Sequence, residues 1–303
     1  MTSEPKASSS QIIGIVGLGL VGRALASRMK AAGYTCIGCD VRPEAMEFFV
    51  SLGFTTEASV AKLANQTNIL ILTVFDTTGV LQVVEKILQD RAIDTQQQHL
   101  TLIDCSTGDP LVLEKLVPQL ESSGVHFLEA PLSGASVQIE NGEATMLLGG
   151  EAADIEALTP VLRVLASRRV HVGDVGMASR AKLATNLVLG LNRAALAEGM
   201  VFAQSIGIAP DAFLQLVLST PARSEAAVVK GAMMVNEQFE PQSRIRQHLK
   251  DVDLMLDIAR GQNQNLPLSK VHSRILRDAI AAGDGDLDNA AIIRQIRRDK
   301  LCP

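Results

Sequence analysis

The sequence contains no tryptophan, one tyrosine and eight phenylalanines among its 303 residues. A protein that stacks unpaired bases needs aromatic side chains, so this scarcity argues against single-stranded nucleic acid as a ligand. The net charge of −5 points the same way, because no excess of lysine and arginine is present to bind phosphate backbones or an anionic membrane surface. The composition therefore predicts neither nucleic acid nor a membrane as partner.

Long apolar runs are also missing. No segment approaches the roughly 18 uninterrupted apolar residues that would predict a membrane span. Residues 1–11 are polar and serine-rich, lack the apolar stretch of a signal peptide, and are expected to form a frayed tail. With 47% apolar and 20% charged residues, the chain is typical of a globular protein, with two domains at about 150 residues each. We expect it in the cytoplasm.

Cysteine is scarce, with four in the chain, and only Cys36 and Cys39 form a C-x-x-C pair. Such a pair can bind zinc or act as a redox couple. Here it lies in a short apolar segment that predicts a buried strand, and a strand directs these two positions to opposite faces. No second pair completes a four-ligand site. We therefore predict two core thiols and no metal site.

The first half of the chain alternates apolar runs with amphipathic stretches, which predicts an open parallel sheet covered by helices. The predicted strands are residues 12–16, 34–39, 68–73, 100–103, 126–128, 146–148 and 169–172. The predicted helices are residues 20–32, 79–88, 110–122 and 152–165, with a further helix opened by Pro43.

The sequence pattern changes from alternating strands and helices to helices after Gly173-Asp174-Val175-Gly176. From residue 177 to 206 there is no proline, and one apolar stripe recurs at helical spacing: Leu183, Leu187, Leu191, Ala194, Ala195 and Met200. The remaining sequence predicts helices almost throughout. The expected fold is thus α/β, with a Rossmann-type parallel-sheet domain at 12–176 followed by an all-helical domain at 177–303 that begins with a long helix.

A G-x-G-x-x-G motif directly follows the first strand and opens the first helix. Its residues are Gly17, Leu18, Gly19, Leu20, Val21 and Gly22. The glycines allow a tight turn, close approach of a pyrophosphate and close helix–strand packing, while the helix N-terminus offers free N–H groups. Asp40 ends the next strand, where its carboxylate can accept the ribose hydroxyls of a dinucleotide. The motif in this setting predicts a nicotinamide cofactor.

The choice between NAD and NADP depends on Asp40 and Arg42, and Val41 between them is a further predicted cofactor-binding residue. A carboxylate at position 40 would repel a 2′-phosphate, which favours NAD. Arg42 leaves NADP as the alternative, because an arginine near Asp40 can bind that phosphate. If Arg42 has no such role, it is a solvated loop residue before Pro43.

A nicotinamide enzyme needs a group that exchanges the proton of the substrate hydroxyl. The histidines adjoin apolar strands without an evident carboxylate beside them, so structural roles are expected for His99, His126 and His171. Lys182 and Asn186 lie four residues apart at the start of the long helix and therefore share a helix face. Taken alone, such a pair is more often a hydrated surface than a catalytic site.

Five separated segments resemble the motifs of one family. In chain order they are Gly17–Gly22 (G-L-G-x-M-G in the family), Asp104–Pro110 (D-x-S-T-x-x-P), Ala130–Ala135 with Gly142 (A-P-V-S-G-G…G), Gly173–Gly176 with Lys182 and Asn186 (G-x-x-G…K-x-x-N-N), and Leu249–Val252 (L-K-D-L). They identify the chain, over nearly its whole length, as similar to the β-hydroxyacid dehydrogenases, the group of 3-hydroxyisobutyrate dehydrogenase and tartronate semialdehyde reductase.

The resemblance implies a role for each matching residue. Lys182 would be the catalytic acid and base, and Asn186 a substrate ligand. Ser133, Gly134 and Ala135 would form the segment that binds the substrate carboxylate. Cofactor contacts would come from Val74, Phe75, Thr107 and Lys250. The helical domain would mediate a homodimer or homotetramer.

The chain departs from the family pattern at two positions near the substrate. Ala135 replaces the second glycine of S-G-G, and Thr185 replaces the first asparagine of N-N. Both changes predict a shifted substrate, while Lys182 is retained. The expected activity is NAD(P)-dependent oxidation of a small 3-hydroxy acid, or reduction of its semialdehyde. The alternatives are a tartronate semialdehyde reductase, a threonate or erythronate dehydrogenase, an imine reductase and a non-catalytic dinucleotide sensor.

Overall fold

Strands and helices alternate in the first part of the computed structural model, which describes residues 12–91 and 99–299. The predicted tail at 1–11 and Cys302 lie outside these residues. The strands are β1 (Ile12–Val16), β2 (Thr35–Cys39), β3 (Thr55–Thr56), β4 (Ile69–Leu72), β5 (Leu100–Asp104), β6 (Val125–Glu129), β7 (Leu132–Ser133), β8 (Thr145–Gly149) and β9 (Arg168–Gly173).

Helices pack between these strands and then make up the rest of the chain. They are α1 (Leu20–Ala31), α2 (Pro43–Ser51), α3 (Val60–Ala64), α4 (Thr77–Arg91), α5 (Pro110–Glu121), α6 (Ser136–Glu140), α7 (Ala152–Ala157), α8 (Thr159–Leu165), α9 (Met177–Ser205), α10 (Pro210–Ser219), α11 (Glu225–Asn236), α12 (Ile245–Gly261), α13 (Pro267–Ala281) and α14 (Ile292–Arg298), with a 3₁₀ turn at Asn289–Ala291.

The sheet has the order β3-β2-β1-β4-β5-β6-β8-β7, and β9 also pairs with β8. Its pairs are parallel from β3 to β6 and again between β8 and β9. The predicted Rossmann-type domain is therefore confirmed. The sheet is not parallel throughout, because β8 pairs antiparallel with both β6 and β7. The two-residue strand β7, too short to leave an alternating pattern, was not predicted.

The sheet separates two apolar cores. Ile13 and Ile15 of β1 belong to one core, and Val16 belongs to the other. Cys36 and Cys39 are divided in the same way, both buried and both free thiols. The prediction of two core cysteines on opposite faces is confirmed.

The single helix predicted at 152–165 is wrong in one respect. The structure divides it at Leu158 into α7 and α8, with Pro160 in the first turn of α8. Proline lacks an N–H and its ring crowds the carbonyl four residues earlier, which favours a break in the helix just before position 160.

The chain divides into two compact units, one ending at Lys182 and one beginning at Leu183. The boundary thus falls inside α9, six residues beyond the predicted end of the first domain. The second unit is helical, and its core contains Ala197, Met200, Ile245 and Leu276, each fully or almost fully buried.

The apolar stripe predicted on α9 does not coincide with its buried face. Leu183 and Met200 are buried as expected, but Leu187, Leu191 and Ala194 are only half-buried and Ala195 is exposed. The residues that the structure buries include polar ones at helical spacing: Lys182, Asn186, Gly190, Arg193, Ala197 and Met200. A hydrophobicity pattern could not find this face, because three of its six members are polar or charged.

Candidate active site

The glycine-rich turn leaves β1 through a conformation that favours glycine. Gly17 has a φ of +96° and its N–H donates to the carbonyl of Cys39 at 2.8 Å. A Cβ at Gly22 would lie 2.0 Å from the Gly17 carbonyl oxygen, so α1 can start close to the strand only with glycine there. At Gly19 a Cβ would meet no protein atom within 4 Å. The turn therefore keeps space beside Gly19, where the fingerprint admits a pyrophosphate.

The N-terminus of α1 faces that space without a side-chain cap. Gly19 occupies the N-cap position, and no side chain accepts from the first amides of the helix. The first turn, with Leu20 and Val21, thus retains N–H groups and the positive end of the helix dipole for an anion. These residues fit a dinucleotide phosphate.

Asp40 lies just beyond β2 and is tied to the turn. Its Oδ2 accepts from the Leu18 N–H at 2.7 Å, and the Arg42 guanidinium bonds both of its carboxylate oxygens at 3.1 Å. Partial burial disfavours the charge, but the hydrogen bonds from Arg42 and Leu18 outweigh it and hold the pKa of the Asp40 carboxyl below its usual value. The acid predicted to select the cofactor is therefore ionised at neutral pH, and Arg42 is paired with it.

The other predicted cofactor residues of the first unit follow the carboxyl ends of neighbouring strands. Val41 lies after β2 and is 87% exposed, Val74 and Phe75 lie after β4, and Thr107 lies after β5. The Ser106 hydroxyl accepts from the Val74 N–H at 3.1 Å and so joins the loops after β4 and β5. Since ligands of such sheets bind outside these strand ends, the loops lie where a dinucleotide would extend.

The predicted carboxylate-binding segment begins in β7 with Ser133. A Cβ at Gly134 would lie 2.9 Å from the Cβ of Ala144, so packing requires glycine at this position. Ala135 is buried, and its N–H donates to Oε1 of Gln138 at 2.9 Å as α6 begins. The segment is thus held by the β7–β8 pairing on one side and the start of α6 on the other.

Glu129 was missed by the sequence analysis, and it holds the start of α9. The side chain, 1% exposed, accepts from the N–H groups of Gly176, Ala178 and Ser179 at 2.5, 3.3 and 3.2 Å, and from the Ser179 hydroxyl at 2.5 Å. Burial raises the pKa of the Glu129 carboxyl, and the hydrogen bonds from Ser179 and Gly176 oppose that shift. The only sequence signal for this role was an acid directly after a predicted strand.

Lys182 lies three residues beyond Ser179, one turn into α9, and is 7% exposed. The carboxylate of Glu129 therefore fixes the backbone from which Lys182 projects. A lysine is almost never buried without a reason, because its charge must be compensated.

Asn186, on the next turn of α9, is 8% exposed and belongs to the second unit. Its Nδ2 donates to Oδ2 of Asp251 on α12 at 3.2 Å. The other oxygen of Asp251 lies 3.0 Å from Nζ of Lys250. Asp251 thus joins two of the predicted site residues, Asn186 and Lys250.

The histidines differ from expectation at one point. Nδ1 of His126 lies 3.0 Å from Oδ2 of Asp154, although no carboxylate was expected beside it. The partner is 28 residues away in sequence and reaches His126 only through the fold. His171 contacts the carbonyls of Gly150 and Gly173 at 3.0 Å, as a structural residue would.

Within residues 12–91 and 99–299, no group of three His, Cys, Asp or Glu side chains is arranged to bind a metal ion. Over the same residues, no helix combines the length and apolar character that crossing a membrane requires.

The fold and the glycine-rich turn define a dinucleotide-binding oxidoreductase. The family model of the NAD-binding domain of 6-phosphogluconate dehydrogenase matches residues 12–173. The model described as NAD-binding of NADP-dependent 3-hydroxyisobutyrate dehydrogenase matches residues 176–296. The chain belongs to the β-hydroxyacid dehydrogenase family of NAD(P)-dependent enzymes, as the sequence motifs predicted.

Relatives match over almost their full length. L-threonate dehydrogenase of Cupriavidus necator is 29% identical, over 94% of this chain and 96% of the relative. 2-Hydroxy-3-oxopropionate reductase of Escherichia coli is 26% identical over the same shares. A crystal structure of 3-hydroxyisobutyrate dehydrogenase from Salmonella typhimurium superposes with a TM-score of 0.83 at 27% identity, covering 94% of this chain and 99% of that one.

The contacts of Asp40 generate a test of cofactor choice. Asp40→Ala removes the charge that opposes a 2′-phosphate and releases Arg42, so NADPH should bind more tightly and NADH more weakly. Fluorescence titration of the wild type and the variant with both cofactors measures this. Arg42→Ala is the matched control, because it removes the cation and leaves the acid. A wild-type enzyme with equal kcat/KM for NAD and NADP would contradict the role given to Asp40.

Proposed function

We propose that this protein oxidises a small 3-hydroxy acid of the 3-hydroxyisobutyrate type, or reduces the corresponding semialdehyde, with Lys182 as the acid and base. The observation that carries the proposal is a lysine with 7% exposure, placed one turn beyond a helix start that a buried carboxylate holds. A family of hydroxyacid dehydrogenases is the setting in which such a lysine has chemistry to perform. When bound, the nicotinamide cofactor supplies the hydride acceptor or donor.

The Lys182 side chain handles the proton. In the reducing direction its ammonium donates a hydrogen bond to the substrate carbonyl oxygen and gives up a proton as the alkoxide forms. In the oxidising direction the neutral amine accepts the hydroxyl proton. The grip of Glu129 on Gly176 and Ser179 serves this step, because proton transfer needs the ammonium within hydrogen-bonding distance of the substrate.

The substrate carboxylate is assigned to Ser133 and Gly134. A hydroxyl together with backbone N–H groups suits an anion, and glycine lets the ligand approach the backbone. The N–H of Ala135 donates to Gln138, so the carboxylate is assigned to Ser133 and Gly134, the two residues before it. Asn186 is assigned to the substrate, with its amide oriented by Asp251.

The cofactor is assigned as NAD, with NADP as the alternative. The ionised Asp40 supports NAD, and its bidentate pairing with Arg42 supplies the arginine with a partner other than a phosphate. Thr107 and the residues 74–75 are assigned to the nicotinamide half, and Lys250 to the cofactor from α12.

The named relatives differ in their substrates, so the identity of the substrate is the least constrained part of the proposal. The names of the relatives include a threonate dehydrogenase and a 2-hydroxy-3-oxopropionate (tartronate semialdehyde) reductase, so both four-carbon sugar acids and a three-carbon semialdehyde are candidates. An imine reductase is disfavoured, because Ser133 and Gly134 with Lys182 suit a carboxylate-bearing alcohol. A non-catalytic sensor would not need a buried lysine at this place.

A substrate panel tests the activity. The purified enzyme is assayed by nicotinamide absorbance with 3-hydroxyisobutyrate, glycerate, threonate and erythronate, each with NAD and NADP, and with cyclic imines in the reducing direction. We expect turnover with one or more of the hydroxy acids. Turnover of imines alone, or NADH binding without any turnover, would contradict the proposal.

Lys182→Arg tests the proton transfer. Guanidinium keeps the positive charge but does not release its proton at any usable pH, so kcat should fall by the roughly 10²- to 10⁴-fold typical of general acid–base catalysis. The affinity for NADH should stay unchanged. Lys270→Arg, at an exposed position, is the control and should retain activity. Wild-type kcat in Lys182→Arg would leave Lys182 with an electrostatic role only.

The assembly is proposed to be a homodimer or homotetramer. Large apolar side chains are exposed on the outer side of α9 and just after its end: Val188, Phe202 and Ile206 are 57%, 63% and 59% exposed. We expect dimers or tetramers in sedimentation velocity, and dissociation in Phe202→Asp. Leu111→Asp, at an apolar position of the first unit with 48% exposed, is the control. A monomeric wild type would contradict this assignment.

The cytoplasm is proposed as the compartment. Cys36, Cys39 and Cys105 are free and buried thiols, which suits a reducing environment. Fractionation of the source cells checks this, and recovery of the protein from an extracytoplasmic fraction would contradict it.

A further inference from the structure

Arg193 is the most unusual buried residue of the helical unit. It lies on the buried face of α9, two turns beyond Asn186, and is 4% exposed. Burial lowers the pKa of its guanidinium to about 10, with Asp288 acting in the opposite direction. The group is therefore still a full positive charge at neutral pH.

This charge has no counter-ion among the described residues. Nε and Nη1 of Arg193 are buried without a hydrogen-bond acceptor, and no carboxylate of residues 12–91 or 99–299 lies within 4.0 Å of the guanidinium. Asp288 is the acid whose field acts on Arg193, but its carboxylate is already used by other groups. It accepts from Lys230 Nζ at 2.8 Å and from the N–H groups of Gln242, Ser243 and Ala290 at 2.9, 3.1 and 2.9 Å.

Two imidazoles lie against Gly190, one turn before Arg193 on α9. The rings of His248 and His272 are 5.2 Å apart, and Nε2 of His272 is buried without a hydrogen-bond partner. Burial and then the charge of Arg193 lower the pKa of His272 to about 4, so the ring is neutral and its N–H can be a donor. Gly190, one turn before Arg193, makes room for the pair, since a Cβ there would lie 2.4 Å from Nε2 of His248.

The charges of this cluster do not cancel. Lys230 and Asp288 neutralise each other as an ion pair, and His272 is neutral. Arg193 therefore adds a positive charge that these groups do not balance. Buried polar atoms without partners point to an ion or a water molecule that completes the site. Water would satisfy the hydrogen bonds but would not neutralise the charge, and a buried charge without a counter-ion destabilises the folded protein.

We propose that Arg193 and His272 bind a small monovalent anion, a halide or a short carboxylate, inside the helical unit. The guanidinium supplies the charge and the donors at Nε and Nη1, and the imidazole supplies a further N–H. The anion is a structural ligand that stabilises the packing of α9 against α12 and α13. This site is separate from the carboxylate-binding segment in β7, and it does not depend on the proposed reaction.

Thermal unfolding at varied anion concentration tests the site. Chloride or acetate replaces sulfate at fixed ionic strength for the wild type, Arg193→Met and Arg260→Met, the last a control at an exposed arginine. Above the dissociation constant, each tenfold rise in a bound anion should lower the wild-type unfolding constant about tenfold. Arg193→Met should lose this dependence and Arg260→Met should keep it. The dependence on chloride against acetate distinguishes a halide from a carboxylate.

Crystals of the wild type in bromide give a readout that does not need a folded variant. We expect an anomalous peak within hydrogen-bonding distance of the Arg193 guanidinium. A water molecule or a carboxylate of a second copy at that place, in crystals grown with bromide and in crystals grown with acetate, would overturn the proposal. So would a wild-type stability that follows neither chloride nor acetate more steeply than that of Arg193→Met.

Discussion

The rest of the proposed site depends on one contact, between the carboxylate of Glu129 and the N–H groups at the start of α9. It ends strand β6 and accepts hydrogen bonds from Gly176, 47 residues later, and from the first turn of α9. The favourable alignment of a carboxylate with a helix N-terminus offsets the cost of burying it. Because α9 runs on from this turn to Lys182, the contact fixes the backbone from which Lys182 projects.

A second constraint is the composition of the buried face of α9. A helix normally buries its apolar stripe, but here Lys182, Asn186 and Arg193 are on the inside, and Phe202 is on the outside. Each inward polar group carries a desolvation cost that its contacts must offset. These inward polar groups are the ones proposed to act on the substrate and to bind an anion. The outward Phe202 is consistent with a further surface that covers it.

Much of the first unit could be predicted from sequence, because local signals agree with the fold there. The run 12–16, the glycine turn and Asp40 are close in sequence, and each reports one part of a single strand–turn–helix–strand unit. What could not be predicted depends on distant partners. Glu129 meets Ser179 across 50 residues, and Asn186 meets Asp251 across 65, with no spacing rule to link them. The buried face of α9 was predicted wrongly for the same reason, because contacts with distant residues bury polar side chains of this helix and leave Leu187 and Leu191 only half-buried.

Steady-state kinetics of Glu129→Gln test most directly whether Glu129 sets the working position of Lys182. Glutamine keeps the shape of the side chain but replaces one acceptor oxygen with an NH₂ group, which is itself a donor. Either the N–H groups of Gly176 and Ala178, or the N–H and hydroxyl of Ser179, then lose their acceptor. The predicted result is a kcat lowered at least about tenfold, the equivalent of about 1.4 kcal/mol, with the affinity for NADH unchanged. Ser179→Ala, which removes only the hydroxyl, should have a smaller effect. A folded Glu129→Gln enzyme with wild-type kcat would contradict the account.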